Sequence, residues 1–496
     1  MTRSAERTAG VVMFVMNDLL NDPRVQREAR SAVRAGFRVT VIALQSARCQ
    51  VPRETVEGYE IVRVWCPRSL LRFLVFRFLR FSRLAAMVVS EGFKLAIGLP
   101  PGPQAPGQDP SPPSCWRRIK WALMRGVGAL FFPLRVFRPL LVPLVRKAQA
   151  TAPLREERWK RMLQFVGDVG FARDTVWISL AMLWAARSAR ATVFHGNDLP
   201  TLPLASWAAR LYGGKAVYDS HELWVGMSPA WTQSFNRAFE WTERRYIRKM
   251  DAAVTVNDLI AEELQRRYQV PLPTVVMNCP EPAAPRVLDP RHSIRAKLGL
   301  SPQTTLILYQ GRYELGRGLE ELIESGRYLS QGVIVLRGYG SNEPDLRRRV
   351  ESLGAPGRVF MVEPVPMADL VDAAREADIG VVPYTAYSPG YYYASPNKLF
   401  EYMLAGLAIA VSDLPFLEKI VCDHDLGVVF NPADPRHIAE QLNALAGNPA
   451  RLRLCRENAL RVARERFNWD HEGGKLVGLY KTLAGGNADS GKAHAV

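Results

Sequence analysis

Short apolar runs alternate with helical patterns along most of this 496-residue chain, which restricts it to parallel sheets covered by helices. Val11–Met16 and Val39–Leu44 read as strands, and the polar helix Pro23–Ala35 between them ends at Gly36. Thr192–His195, Ala216–Asp219, Ala253–Val256 and Thr274–Met277 continue the series. After a proline-rich break at Cys279–Pro285 a second series begins: Leu306–Gln310, Val333–Leu336, Val359–Val362, Ile379–Val382 and Ala408–Ser412. A last helix is expected around Gly474–Leu483. The pattern predicts two doubly wound, Rossmann-like domains, 1–282 and 286–470. It also predicts a helix at 471–484 that crosses back to the first domain, and a disordered tail at 485–496. Two such halves facing one another place ligands at the carboxyl ends of their strands, in the cleft between them.

One stretch breaks the alternation. From Arg68 to Lys147 there are fourteen lysines and arginines against two acids, Glu91 and Asp109, so most of the formal charge of +17 sits there. Within Ser69–Val89, Arg72, Arg77, Arg80 and Arg83 fall in one arc of a helical wheel. Leu70, Leu71, Leu74, Val75, Phe78 and Phe81 fill the rest, with Phe73 and Phe76 intruding on the basic side. A Pro/Gly/Ser-rich linker at 99–114 leads to a second basic, apolar stretch, Trp116–Lys147, broken by Pro133, Pro139 and Pro143. Neither stretch holds about 18 uninterrupted apolar residues, which argues against a spanning helix. Residues 68–150 are therefore expected to form an insertion that lies on an anionic membrane surface. The alternative is a pair of core helices or a dimer face. Arginines set among so much Leu and Phe argue against nucleic acid as the partner. Six scattered cysteines without a CxxC pair fit a reducing compartment and no structural zinc. The apolar run after MTRSAERTAG is too short for a secretory signal. The expected location is the cytoplasm, peripheral to the inner face of the cell membrane.

Three clusters carry chemistry. In Tyr391–Gly406, Ser395 reads as an N-cap with Pro396 at the first helical position, which puts Lys398 at the third. The helix dipole disfavours a cation there unless an anion such as a diphosphate sits in front of the helix. Glu401, one turn in, can accept from ribose hydroxyls. In Gly311–Gly318, directly after a strand, Arg312 and Arg317 can donate to phosphates. In Tyr218–Trp224, His221 and Glu222 stand at a strand end, and His195 in FHGNDLP competes for the same role. The bland alternatives are a surface helix, a helix start with surface arginines, and a structural histidine.

These segments resemble the retaining GT-B glycosyltransferases of family 4. Asn21–Leu44 is similar to that family's opening strand–helix–strand, and Phe194–Trp224 to the paired strands of its acceptor domain. Gly311–Ile323, Leu336–Gly340 and Ala377–Pro415 resemble its donor domain, the last block being the most specific. The resemblance implies a nucleotide-sugar site built from Gly311, Arg312, Arg317, Gly338, Val362, Ser395, Asn397, Lys398, Leu399 and Glu401. Arg312 and Arg317 would hold the diphosphate, with Arg317 where the family more often has lysine. Glu401 matches the second of the family's paired glutamates, and Tyr393 stands where the first would be. His221 matches the acceptor-domain histidine near the reacting sugar. The glycine-rich loop after the first strand is replaced by MNDLLNDPRV, so Asn17, Asp18 and Arg24 are expected to serve there, with His195, Asp198 and Glu222 on the acceptor side.

The implied reaction moves a hexosyl group from a nucleotide sugar to an acceptor hydroxyl with retention and without metal or other cofactor. The membrane-lying insertion points to a lipid-linked acceptor in cell-surface polysaccharide synthesis. Two rivals are a GT-B-fold nucleotide-sugar epimerase, which needs no acceptor, and a non-catalytic membrane scaffold, which binds no nucleotide.

Overall fold

The computed structural model describes residues 9–65, 175–226, 233–282, 284–287 and 289–485. The basic insertion at 68–150, its linker at 99–114 and the tail beyond Gly485 lie outside the described residues. Chain up to Val64 and from Ser179 onward belongs to one unit, and Trp65–Ile178 to a second. All that follows concerns the first.

Its first sheet is β1 (Gly10–Phe14), β2 (Arg38–Leu44), β3 (Arg53–Val56), β4 (Tyr59–Val64), β5 (Val193–Asn197), β6 (Lys215–Ser220), β7 (Ala252–Thr255) and β8 (Thr274–Val275). The spatial order is β3-β4-β2-β1-β5-β6-β7-β8, parallel except for the β3–β4 hairpin at one edge. Every residue of β1 and β5 is buried, as strands covered on both faces must be, which explains the unbroken apolar run of β1. The hairpin was not apparent in the sequence reading. Glu57 and Gly58, at φ 47° and 88°, make its two-residue turn.

The second sheet is β9 (Leu306–Arg312), β10 (Val333–Tyr339), β11 (Val359–Val362), β12 (Ile379–Val382), β13 (Ala408–Ser412) and β14 (Gly427–Phe430). It is wholly parallel in the order β11-β10-β9-β12-β13-β14. The chain reverses its direction of travel between β1 and β5 in one sheet and between β9 and β12 in the other. Crevices at such switch points, beyond the carboxyl ends of the strands, receive ligands in open α/β sheets.

The helices that matter for the site are α1 (Pro23–Arg34), α2 (Leu202–Tyr212), α3 (Gln233–Tyr246), α4 (Asp258–Tyr268), α5 (Leu319–Ser325), α6 (Asn397–Ala405) and α7 (Trp469–Gly485). Asp22 caps α1 by accepting from the Val25 amide, and Pro23 occupies the first turn, where a missing N–H costs nothing. α7 lies against α1. Trp469, Leu476 and Tyr480 are buried there with Val11, Met13 and Val25, and Trp469 Nε1 donates to Ser31 Oγ at 2.9 Å. Each of these large side chains contributes roughly 1.5–3 kcal/mol by its burial.

Candidate active site

A cavity of about 910 Å³ opens at the switch points of both sheets. One wall is Asn21–Arg24 after β1, His221 and Glu222 after β6, and Asn278. The other is Gly311, Arg312, Glu314 and Arg317 after β9, Tyr384 and Tyr387 after β12, and Ser395–Lys398 with Glu401 on α6.

Close backbone approach shapes the second wall. Gly311 has φ 146°, and a Cβ there would lie 2.8 Å from Lys398 Nζ, so only glycine lets the lysine reach this point. Gly318 has φ 63°, and a Cβ on it would meet the Pro383 carbonyl at 1.8 Å. That packing seats the Gly311–Gly318 turn on the end of β12. Arg312 Nε donates to Glu314 Oε1 at 2.7 Å, and Arg317 Nη2 reaches Glu314 Oε2 at 3.4 Å. Arg317 also lies over the rings of Tyr384 and Tyr391, at 4.4 and 5.2 Å, and its Nε is buried without a hydrogen-bond partner. Lys398 Nζ sits 3.7 Å from the Tyr309 ring centre. Burial, followed by the nearby Arg317 guanidinium, holds the Lys398 amine well below its usual range. Burial raises the Glu401 carboxyl, against the pull of Lys398 and Arg27.

The start of α6 differs from the expected one. The helix begins at Asn397, with Pro396 extended (φ −74°, ψ 131°) as its boundary residue, so Lys398 is the second helical residue. Ser395 Oγ, one residue too far back to cap, is buried and without a partner at the cavity wall. Of the first-turn residues, Asn397 and Lys398 line the cavity, while the Leu399 amide donates to the Pro396 carbonyl at 3.0 Å.

The first wall is a network of buried charge. Arg24 binds both oxygens of Asp219, at 3.0 and 2.8 Å, pairs with Glu28 at 2.9 Å and donates to the Val276 carbonyl at 2.8 Å. His221 stands between two carboxylates, with Nδ1 3.4 Å from Asp198 and Nε2 3.4 Å from Asp219. Burial alone would lower its pKa, but the two carboxylates outweigh it and hold His221 well above the usual imidazole range. With a proton on each nitrogen it has no lone pair for use as a base or nucleophile. Trp224 Nε1 fixes Asp198 from behind at 3.0 Å. Glu222 faces the solvent of the cavity but is enclosed by its walls. That enclosure, then Asp198, pushes its pKa up to about 7, while Arg317 and His221 pull it down.

Ten residues singled out from the sequence line this cavity: Arg24, His221, Glu222, Gly311, Arg312, Arg317, Ser395, Asn397, Lys398 and Glu401. Seven others do not. Asn17 donates to Asp22 and Asp18 accepts from Ser46, so both shape the turn after β1, and Asn21–Arg24 form the wall in their place. His195 is fully buried against Tyr480, and Asp198 stands behind His221. Leu399 belongs to the core, and Val362 packs on that core at the end of β11. Gly338 acts through its backbone, since a Cβ there would lie 1.8 Å from the Gly311 carbonyl. Tyr393 also faces elsewhere: its carbonyl accepts from Asn257 at 2.8 Å and its side chain packs on the apolar cluster that includes Leu199 and Leu223. The sequence reading missed Glu314, Tyr384, Tyr387 and Asn278. Glu314 was legible as the one acid between two cavity arginines.

Glu28, His195 and Asp219 bring ligand-type atoms within 4.8 Å of one another. Arg24 already lies among them, and a second cation there would be repelled by the guanidinium.

Comparison with known proteins gives the family and the fold. Residues 290–462 match the family model for glycosyl transferases group 1, and residues 144–280 match that for glycosyltransferase family 4. A D-inositol 3-phosphate glycosyltransferase of Xylanimonas cellulosilytica is 29% identical over 48% of this chain. The match spans only 58% of that relative's own length. An alpha-maltose-1-phosphate synthase of Mycolicibacterium smegmatis is 23% identical over 59% of this chain and 80% of its own. Among solved structures, a sucrose-phosphate synthase from Thermosynechococcus elongatus superposes with a TM-score of 0.64 at 14% identity, covering 96% of this chain and 100% of the other. Anabaena HepE in complex with UDP-glucose superposes at 0.60 with 12% identity over 96% and 100%. At these identities the superpositions speak for the fold alone.

Proposed function

The chain belongs to the group 1, family 4-like glycosyltransferases of GT-B fold, and from that premise we propose that it moves a hexosyl group from a nucleotide-diphosphate sugar to an acceptor hydroxyl with retention of configuration. The observation that carries this reading is the meeting of Arg312, Arg317 and Lys398 at the N-terminus of α6, which no side chain caps. In the transfer, the bond from the sugar's anomeric carbon to the β-phosphate oxygen breaks and a bond to the acceptor oxygen forms. The departing phosphate takes the acceptor proton. Negative charge growing on that phosphate meets preorganised cations and the dipole of α6, which stabilise it more in the transition state than in the ground state. These groups supply the charge that a metal would otherwise bring, so the proposed reaction uses no metal. Glu401 accepts from the ribose hydroxyls, Ser395 and Asn397 flank the diphosphate, and the His221 imidazolium faces the reacting sugar.

The acceptor proposed is a lipid-linked glycan at the cytoplasmic membrane surface, on the strength of the basic, apolar stretch between Arg68 and Lys147. Among the described residues no helix is long and apolar enough to cross a membrane. The names of the relatives favour a second reading, a soluble sugar- or polyol-phosphate acceptor. Transfer of label to polyprenyl-diphosphate glycan in anionic vesicles supports the first, and transfer to inositol phosphate without vesicles supports the second.

The donor site is tested by thermal unfolding of the whole chain with UDP, GDP or ADP in EDTA. A ligand at a hundred times its Kd stabilises by about 2.7 kcal/mol. One nucleotide should raise the melting temperature, and Arg312→Ala and Glu401→Ala should lose that rise. No rise with any of the three would sink the proposed donor site.

Glu222 gives the site a pH dependence. Its raised pKa means a neutral carboxyl below about 7 and an anion facing the diphosphate site above it. Nucleotide affinity should therefore weaken several-fold from pH 6 to pH 8. Glu222→Gln should reduce that slope, as read by calorimetric titration, leaving the part that comes from protonation of Lys398. An unchanged slope in the variant would place the titrating group elsewhere.

A further inference from the structure

We propose that Tyr480 and His195 are positioning residues for His221, joined to it through Asp219, so that the last helix of the chain sets the geometry of the acceptor-side wall. The role assumed for His221 rests on the glycosyltransferase reading; the relay itself is one hydrogen bond, between Tyr480 and His195, followed by close charged contacts of His195 and His221 with Asp219.

Its parts lie in one line across the first sheet. Tyr480, on α7, places Oη 2.7 Å from His195 Nδ1, both groups being fully buried. The other face of that imidazole, Nε2, lies 3.6 Å from Asp219 Oδ2 and 3.8 Å from Glu28 Oε2. The same Asp219 oxygen lies 3.4 Å from His221 Nε2. Direction follows from charge. A lone pair on His195 Nε2 would point at two carboxyl groups, so that nitrogen carries the proton and Nδ1 is the acceptor. The Tyr480 hydroxyl must then donate to Nδ1. Burial beside Glu28 and Asp219 keeps the phenol protonated and able to do so.

Tyr480 thus holds in place the ring whose tautomer the two carboxyl groups set. A histidine whose far nitrogen is held this way presents a fixed N–H on its near side. That N–H and the Arg24 fork together define where Asp219 can stand, and Asp219 with Asp198 defines where His221 stands. His195 never reaches the cavity, so its place in a fully buried strand is otherwise unexplained: VFHGN interrupts an apolar run with a polar ring.

Titration and tautomer of the histidines, read from long-range proton–nitrogen spectra of the full chain labelled with ¹⁵N-histidine, test the relay without any substrate. The groups that face His221 are Asp198, Asp219, Arg24, Glu28 and Glu222. Tyr480→Phe should loosen the His195 ring, shifting its nitrogen signals, and displace the His221 titration from its wild-type position. His195→Gln, which can still accept from Tyr480 and donate to Asp219, should keep the His221 titration near wild type, whereas His195→Leu should not. Once a donor is known, Tyr480→Phe should lower kcat about 10-fold with little change in donor KM. Phe37, edge-on to Tyr480 at 5.9 Å, supplies the control for packing. Should Tyr480→Phe only lower the melting temperature, as Phe37→Leu does, with both histidine signals unmoved, the relay is refuted. A wild-type chain that shows the relay but transfers no sugar would refute the assigned reaction and leave the relay standing.

Discussion

Lys398→Ala should cut turnover by about 100- to 1000-fold while leaving the protein at least as stable as before. Lys398 has no ion-pair partner among the described residues; it lies over Tyr309 beside Arg317, and it is disfavoured as a cation by both burial and that neighbour. An amine so disfavoured as a cation, in the first turn of a helix that no side chain caps, is poised for an anion that arrives from outside and stabilises its charged form. Its removal relieves repulsion in the empty site and removes attraction in the filled one. Calorimetric unfolding and steady-state kinetics on the same preparation separate the two effects. Because the amine is held low, donor binding should also take up a proton, which appears as a dependence of the binding enthalpy on the buffer. A variant that keeps turnover within a few-fold of wild type would remove Lys398 from the reaction.

Arg24→Met should destabilise the first sheet by about 3–5 kcal/mol, because it strands two carboxyl groups that the guanidinium now holds. Arg24 contacts Asp219 at both oxygens, Glu28 and a backbone carbonyl, with 3% of its side chain exposed. Lysine at this position cannot reproduce the fork, so Arg24→Lys should recover only part of the loss. Urea unfolding followed by tryptophan fluorescence measures it. A midpoint unchanged in Arg24→Met would mean that Asp219 and Glu28 are neutral in the native protein and need no partner.

How far the sequence disclosed these sites follows from what each residue's role depends on. Strands buried on both faces announce themselves as apolar runs, so β5, β6, β9, β12 and β13 were legible. The half-exposed β3, RETV, has no such run and was missed together with its partner β4. Residues that act through a local motif, such as Arg312, Arg317, Lys398 and Glu401, were likewise readable. Those whose role depends on distant partners were not. Asn17 and Asp18 looked like substitutes for a phosphate loop, but the polar atoms they meet are Asp22 and Ser46, which turns them into turn closures. His195 looked like a rival of His221, and only the return of α7 reveals that its neighbour is a phenol 285 positions away. Tyr393 faces Asn257 for the same kind of reason, a contact between halves that no window of sequence contains.

The seating of α7 on α1 also has a consequence for how the protein is made. When β1, α1 and β5 leave the ribosome, the side chains that complete their core, Trp469, Leu476 and Tyr480, have not been synthesised. At about 5–20 residues per second, the interval between His195 and Tyr480 is roughly 15–60 s. Throughout that time the amino-terminal half exposes an apolar groove and a histidine without its donor, a form that chaperones and proteases recognise. The carboxyl-terminal sheet, by contrast, can close within its own span. The half made first is therefore the half completed last, and a nascent chain halted before Trp469 should be degraded from its amino-terminal side.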